Sequence, residues 1–277
     1  MSNSTAAAMS AGFETMTVTV GPAKIGMQVC GSGRPLVLFH SLLADRTSFD
    51  RVAPRLAETH RVLALDLPGF GDSDFVEGGL DGIADRVAGA LRALSAGEKP
   101  ILLGNGYGGF IALLTAIRHP ELADRLVLAD CGAAFSEPGR AAFRGMSAGA
   151  QKGGLAAIAD VAMRRLFAPE YQALHPELIA QRKERFLAVD PRTFHDACEA
   201  LATLDLRNHL ASVQVPVLVL VGEMDEATPP PMSKELAAGL PNAKLVVLPG
   251  CAHVPQLQAP DLFLEAVADF IGARRRA

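Results

Sequence analysis

Short apolar runs alternate with stretches of helical spacing along most of the chain, and this alternation restricts the fold more than any other feature. The runs are PLVLFH (35–40), RVLALDLP (61–68), PILLGN (100–105), RLVLAD (125–130), PVLVLVG (216–222) and AKLVVLPG (243–250). A strand that is apolar on both faces has to be covered on both, the condition of a parallel sheet flanked by helices. Phe49, Val52 and Leu56 recur at helical spacing after the first run. Ile111, Leu114 and Ile117 do so after the third, before His119-Pro120 stops the helix. The predicted class is α/β, a mostly parallel central sheet with helices on both faces and right-handed crossovers.

Two segments depart from this rhythm. FETMTVTV (13–20) and AKIGMQV (23–29) alternate apolar and polar side chains around Gly21-Pro22, the pattern of an antiparallel hairpin. Residues 133–214 contain no strand-like run and are rich in Ala, Arg and Glu, with Leu155, Ile158, Ala162 and Leu166 spaced as one helix face and Arg164-Arg165 opposite. They read as a helical cap inserted after the sixth strand, leaving 1–132 and 215–277 as the core domain. A helix is expected near 231–239 and a last one from about Pro260. That last helix has Asp261 in its first turn and Arg274-Arg275-Arg276 at its end, charges that suit its dipole.

Composition narrows the partners. With 277 residues, 49% hydrophobic and 20% charged, the chain is long enough for a sizeable core and unlike a disordered sequence. A net charge of -4, no Trp and 5% aromatics argue against nucleic acid. Ile101 to Ile117 is uncharged, but four glycines interrupt it and it is too short for a membrane span. The N-terminus lacks the basic and apolar regions of a signal peptide, and Cys30, Cys131, Cys198 and Cys251 form no C-x-x-C pair. The expected setting is cytoplasmic, without metal or other cofactor and without membrane. A homodimer is left open, and the partner is a small-molecule substrate.

Chemistry gathers where the apolar runs end, because ligands of open α/β sheets bind beyond the carboxyl ends of the strands. There the chain carries His40-Ser41-Leu42-Leu43, Gly104-Asn105-Gly106-Tyr107-Gly108-Gly109, Gly222-Glu223-Met224-Asp225 and Gly250-Cys251-Ala252-His253. A single acid after a strand is usually a turn residue, and a single loop His is usually solvated. Their occurrence together, in this order, is more telling.

From about residue 13 to 272 the chain resembles the α/β-hydrolase fold superfamily, in particular its capped esterases, enol-lactonases and carbon–carbon hydrolases. That family carries G-x-S-x-G at a strand–turn–helix elbow, followed by an acid and then a His. The resemblance places Gly104 and Gly108 at the elbow glycines, Asp225 at the acid and His253 at the general base. It places the N–H groups of Leu42 and Tyr107 at the oxyanion hole. Asp130, at the end of RLVLAD, is an alternative acid. His40 is expected to shape the oxyanion loop, and His60, His119, His175, His195 and His209 to be surface or cap residues without acid partners.

One position departs: Gly106 stands where the family has its nucleophile serine. Glycine relaxes a strained turn and removes the attacking oxygen. Four explanations follow. His253 with Asp225 acts as a general base without a covalent intermediate, in hydrolysis or in lyase, decarboxylase or isomerase chemistry. Another side chain attacks, Ser41 before Cys131 or Cys251, although a serine in such a loop is more often a turn hydroxyl bonded to backbone or a polar contact. Glycine has been put in place of a natural serine. Or the fold binds a small molecule without catalysis. Within the cap, Phe143, Met146, Met163, Leu166 and Phe167 either line a cavity or pack on the core. One of Arg140, Arg144, Arg164, Arg165, Arg182 and Arg185 is a candidate for a substrate carboxylate.

Overall fold

The computed structural model describes residues 12–94 and 97–273. Eight strands, β1 (Glu14–Val20), β2 (Ala23–Cys30), β3 (Arg34–Phe39), β4 (His60–Leu65), β5 (Ile101–Asn105), β6 (Arg125–Ala129), β7 (Val217–Gly222) and β8 (Ala243–Leu248), form one sheet in the order β1-β2-β4-β3-β5-β6-β7-β8. β1, β2 and β4 pair antiparallel, and every later pairing is parallel. The expected α/β class and hairpin are what the sheet shows.

The unbroken apolar runs have the cause inferred for them. In β3, Val37 and Phe39 enter one core while Leu36 and Leu38 enter a second on the opposite face. β7 does the same, with Val217 and Val219 on the first face and Leu218 and Leu220 on the second. Successive side chains point to opposite faces, so a doubly covered strand must be apolar throughout. The helices α2 (Gly79–Leu94) and α3 (Tyr107–Arg118) cover the first face, with α9 (Pro230–Gly239) beside β7 and β8. The second is covered by α1 (Ala53–Leu56) and α11 (Pro260–Ile271), through Leu56, Phe263, Val267 and Ile271. A short turn, α10 (Pro255–Gln258), precedes α11.

Between β6 and β7 lie α4 (Glu137–Gly153), α5 (Ala159–Leu166), α6 (Pro169–Leu174), α7 (Pro176–Leu187) and α8 (Pro191–Thr203). α4 packs on α8, and Arg140 locks their bases by donating to the carbonyls of Phe135, Ala202 and Leu204 at 3.0–3.4 Å. Arg182 of α7, almost fully buried, reaches back to Thr47 Oγ1 at 2.8 Å and Asp45 Oδ1 at 3.4 Å in the loop after β3. The helices of this insertion are therefore tied to the loops at the strand ends.

Three local expectations need correction. The single helix expected over Phe49 to Leu56 is a 3₁₀ turn, Arg46–Phe49, and then the one-turn α1. Pro54 sits in the first turn of α1, where its missing N–H costs nothing but where it cannot continue an earlier helix. The face from Leu155 to Leu166 is likewise divided into a 3₁₀ turn, Leu155–Ile158, and α5. His60 is not a surface residue: it is buried at the start of β4, its Nε2 at 3.0 Å from the carbonyl of Ile271 at the end of α11. The triple arginine at 274–276 and most of the N-terminal segment, residues 1–11, lie outside the described residues. Among those residues no helix is long and apolar enough to cross a membrane, and the uncharged stretch from Ile101 becomes β5 and α3.

Candidate active site

β5 turns sharply into α3 at Gly106, which has φ 54° and ψ -118°. That region suits glycine and strains any other residue. The flanking glycines serve close approach. A Cβ on Gly104 would lie 2.2 Å from the carbonyl oxygen of Gly108, and one on Gly108 would lie 2.2 Å from that of Phe39. Helix α3 can thus sit directly on β3 and β5. Tyr107 is its first residue, so the Tyr107 N–H has no carbonyl one turn back to bind.

The loops after β7 and β8 meet through their backbones. The Met224 N–H donates to the Cys251 carbonyl at 2.8 Å, and the Glu223 N–H to that of Leu248 at 3.0 Å. Gly222 permits this, since a Cβ there would lie 2.3 Å from the Ala252 oxygen. Asp225 is brought under His253 as a result. His253 Nδ1 donates to Asp225 Oδ2 at 2.9 Å, with Thr228 Oγ1 at 3.3 Å from the same nitrogen. Asp225 Oδ1 accepts the N–H groups of Ala227 at 2.8 Å and Thr228 at 3.1 Å, and the Thr228 hydroxyl lies 2.6 Å from Oδ2. All three residues, Asp225, Thr228 and His253, are buried.

Burial pulls the Asp225 carboxyl upward, but the neighbouring His253 and the Thr228 donors outweigh it and hold the acid below its ordinary range. Linkage fixes the sign. A depressed folded pKa contributes stability above the ordinary carboxylate range, and this is lost as pH falls through the folded value. In urea titrations, the stability advantage of the parent over Asp225→Asn is expected to shrink as the pH is lowered through the acid range. An advantage that stays constant, or grows toward acid pH, would contradict this assignment.

Asp130 lies apart from the imidazole. Its carboxylate accepts the Gly222 N–H at 2.8 Å and the Asn105 side-chain N–H at 3.2 Å, and its φ of 52° is the one positive value among the described non-glycine residues. Complete burial, then the nearby Asp225 charge, push its carboxyl well above the ordinary range. It is a strut between the ends of β5 and β7, while Asp225 is the acid bonded to His253. Sequence reasoning missed Asn105 and Gln256. Asn105 Nδ2 donates to the His253 carbonyl at 2.8 Å, and Gln256 Nε2 donates to Asn105 Oδ1 at 3.0 Å, so both orient the His253 loop. Thr228 was also missed; its only signal is its position three residues after Asp225, where an Asp side chain caps the turn.

On the other side of the imidazole stands the loop after β3. His40 is fully buried: it accepts the Leu67 N–H on Nε2 at 3.1 Å, which leaves Nδ1 to donate to the Ser41 carbonyl at 2.9 Å. The Gly108 N–H donates to the His40 carbonyl at 3.0 Å, joining this loop to α3. The Ser41 hydroxyl lies 3.2 Å from His253 Nε2. Both groups crowd the open side of the elbow: a Cβ on Gly106 would lie 2.6 Å from His253 Nε2 and 2.7 Å from Ser41 Oγ.

Ser41, Leu42, Gly106, Tyr107 and His253 line one cavity, together with Phe110 of α3 and with Phe135, Phe143, Met146 and Arg165 from the segment between β6 and β7. Its empty volume, part of it open to solvent, is about 390 Å³. Met163, Leu166 and Phe167 are core residues instead. Arg165 is the only Lys or Arg on this lining, half-buried and with no ion pair among the described residues. It was expected on the face opposite Ala162. Three residues along a helix is a rotation of about 300°, which leaves it at the border of the buried face. The other five candidate arginines are engaged or outward: Arg140 on carbonyls, Arg144 with Glu137, Arg182 and Arg185 with Asp45, and Arg164 in solvent.

Cys131 and Cys251 are buried, and neither lines the cavity. Burial pushes both thiols up, Cys251 to about 11, which disfavours the thiolate a nucleophile needs. His119, also expected to lack an acid, pairs at the surface with Asp85 at 2.7 Å. No group of three or more His, Cys, Asp or Glu among the described residues has the arrangement of a metal site.

Residues 36–266 match the alpha/beta hydrolase family. The chain belongs to this family. It is similar to a pimeloyl-[acyl-carrier protein] methyl ester esterase of Neisseria meningitidis, 32% identical over 86% of this chain and 93% of the relative. A 2-hydroxymuconate semialdehyde hydrolase of a Pseudomonas species is 31% identical over 87% of this chain and 88% of the relative. Among solved structures, an esterase from Thermogutta terrifontis superposes with a TM-score of 0.84 and 27% identity, covering 94% of this chain and 98% of that one. The enol-lactonase from Burkholderia xenovorans gives 0.87 and 25%, covering 93% and 100%. By family this alpha/beta hydrolase member is a hydrolase, and its relatives act on carbonyl compounds.

Proposed function

We propose that the chain hydrolyses a small ester, enol-lactone or activated carbon–carbon bond, with His253 as general base and general acid, oriented by Asp225. The observation that carries this reading is the bond from His253 Nδ1 to Asp225 at 2.9 Å. It fixes one tautomer and leaves the Nε2 lone pair facing the cavity, 3.2 Å from a hydroxyl. His253 takes the proton of the attacking hydroxyl, Asp225 stabilises the imidazolium, and His253 then returns the proton to the leaving group. The N–H groups of Leu42 and Tyr107 are assigned to the developing oxyanion, aided by the N-terminal end of α3.

Helices of residues 133–214 supply Phe143, Met146 and Arg165 to the lining, and they act as the cap that excludes water from the site. Its apolar lining with one unpaired arginine suits a compact, partly apolar substrate that carries a carboxylate, which Arg165 binds. A panel of small esters, lactones and vinylogous diketones, each with and without a carboxylate, tests the reading. Turnover is expected for carboxylate-bearing members. Arg165→Ala should raise KM for these by about 10- to 100-fold, the effect of losing a hydrogen bond to a charged group, and leave neutral members nearly unchanged. A parent that binds panel members without turning any over, while Gly106→Ser turns them over, would mean that the fold binds and no longer catalyses.

A further inference from the structure

A general base at His253 acts on an attacking hydroxyl, that of a side chain or that of water. Resting on the hydrolase reading above, we infer that this hydroxyl belongs to Ser41, and that the loop serine is the nucleophile in place of the missing elbow side chain. Three observations converge on it. Ser41 Oγ lies 3.2 Å from His253 Nε2, and because Nδ1 already donates to Asp225, Nε2 accepts and the serine donates. Bonds of this kind are often long before substrate binds. Next, the hydroxyl stands beside the space that Gly106 leaves free, 2.7 Å from where a Cβ would be, and Ser41 lines the cavity. Any side chain at the elbow would drive Ser41 and His253 apart, so glycine at 106 and serine at 41 form one arrangement.

The third observation is rigidity. The His40 imidazole donates to the Ser41 carbonyl at 2.9 Å, the Ala44 N–H donates to it at 3.1 Å, and the Gly108 N–H holds the preceding carbonyl at 3.0 Å. Ser41 is 2% exposed. A turn hydroxyl of merely structural use would bond to the backbone around it; this one bonds to the imidazole. The competing hydroxyl, Thr228, stands on the Nδ1 side and is shared between Asp225 Oδ2 at 2.6 Å and the Asp130 carbonyl at 2.7 Å. It cannot hand its proton to Nε2.

The chemistry balances without a co-reactant other than water. The Ser41 proton passes to Nε2 as Oγ bonds to the substrate carbonyl carbon, and the carbonyl π pair becomes the oxyanion. On its collapse the bond to the leaving group breaks, and that group leaves with the proton from Nε2. A water molecule then gives its proton to Nε2 and attacks the acyl carbon, and Ser41 Oγ regains a proton as the acid departs.

The test is covalent labelling with an alkyl fluorophosphonate, read by intact mass and peptide mapping. One phosphonyl group should be gained at Ser41 with loss of fluoride. The gain should be absent in Ser41→Ala and slowed at least 100-fold in His253→Ala. Ser41→Cys guards against a folding defect: it should keep the parent's circular dichroism and take up iodoacetamide at that position. On any panel substrate, Ser41→Ala should lose more than 100-fold in kcat. An unlabelled chain, or a label elsewhere, overturns Ser41. So does Ser41→Ala turnover within threefold of the parent, and if His253→Ala is then inactive the base reading stands without it. A label at Ser41 with no turnover on the panel has the opposite meaning, keeping the nucleophile and removing the proposed substrates.

Discussion

Replacing His253 with alanine is expected to lower kcat by about 10²–10⁴-fold on every panel substrate that the parent turns over, the usual worth of a positioned acid–base group. The fold should survive the change. Asp225 keeps three donors without the imidazole, the N–H groups of Ala227 and Thr228 and the Thr228 hydroxyl, so its buried charge is not abandoned. Stopped-time assays at saturating substrate, with circular dichroism as the control for folding, decide the matter. A folded variant that retains turnover within tenfold would remove His253 from the reaction, and the base would then have to be sought at another cavity group.

Gly106→Ala is expected to harm the protein twice, although it adds a single methyl group. At φ 54° and ψ -118° a non-glycine residue is strained by about 1–3 kcal/mol, which at this chain length means a melting temperature several degrees lower. The methyl would also stand 2.6 Å from His253 Nε2 and 2.7 Å from Ser41 Oγ. Real Cβ contacts are not so short, so the imidazole and the hydroxyl must separate, and kcat should fall by at least tenfold. Calorimetry and the panel assay read the two effects independently. Full stability would show that the elbow is not strained, and full activity would show that the Ser41–His253 contact does not matter. In a family member with serine at the elbow, the same alanine would remove the nucleophile instead; here it obstructs a neighbour.

Much of the architecture was legible because it depends on periodicity. β3 and β7 are buried on both faces, so their apolar runs are unbroken. β1 and β2 form a hairpin at the sheet's edge, and their alternation shows it. The order elbow, acid, histidine pointed to three strand ends of a parallel sheet, which necessarily open on one edge. The helix errors also have a physical source: spacing shows which residues share a face, and it does not show that Pro54 or the turn at Ile158 divides the run.

Contacts between distant segments could not be read this way. Nothing local distinguishes Arg165 from the other arginines between β6 and β7; only the register of α5 against the core turns it to the cavity while its neighbour Arg164 faces solvent. His60 looks like a loop residue until α11 closes over it. Asn105 and Gln256 carry no motif, yet they hold the His253 loop across 148 and 151 residues of chain.

The sequence by itself determined the class of sheet, the family and the absence of a side chain at position 106, because those follow from patterns within elements and from their order along the chain. Only the tertiary structure decided which groups stand beside that position. It brings Ser41 to His253 across 212 residues, into space that no pattern along the chain can measure. Nucleophilic chemistry depends on a separation of a few ångströms between two loops, and that separation is set by the packing of β3, α3 and β8 together.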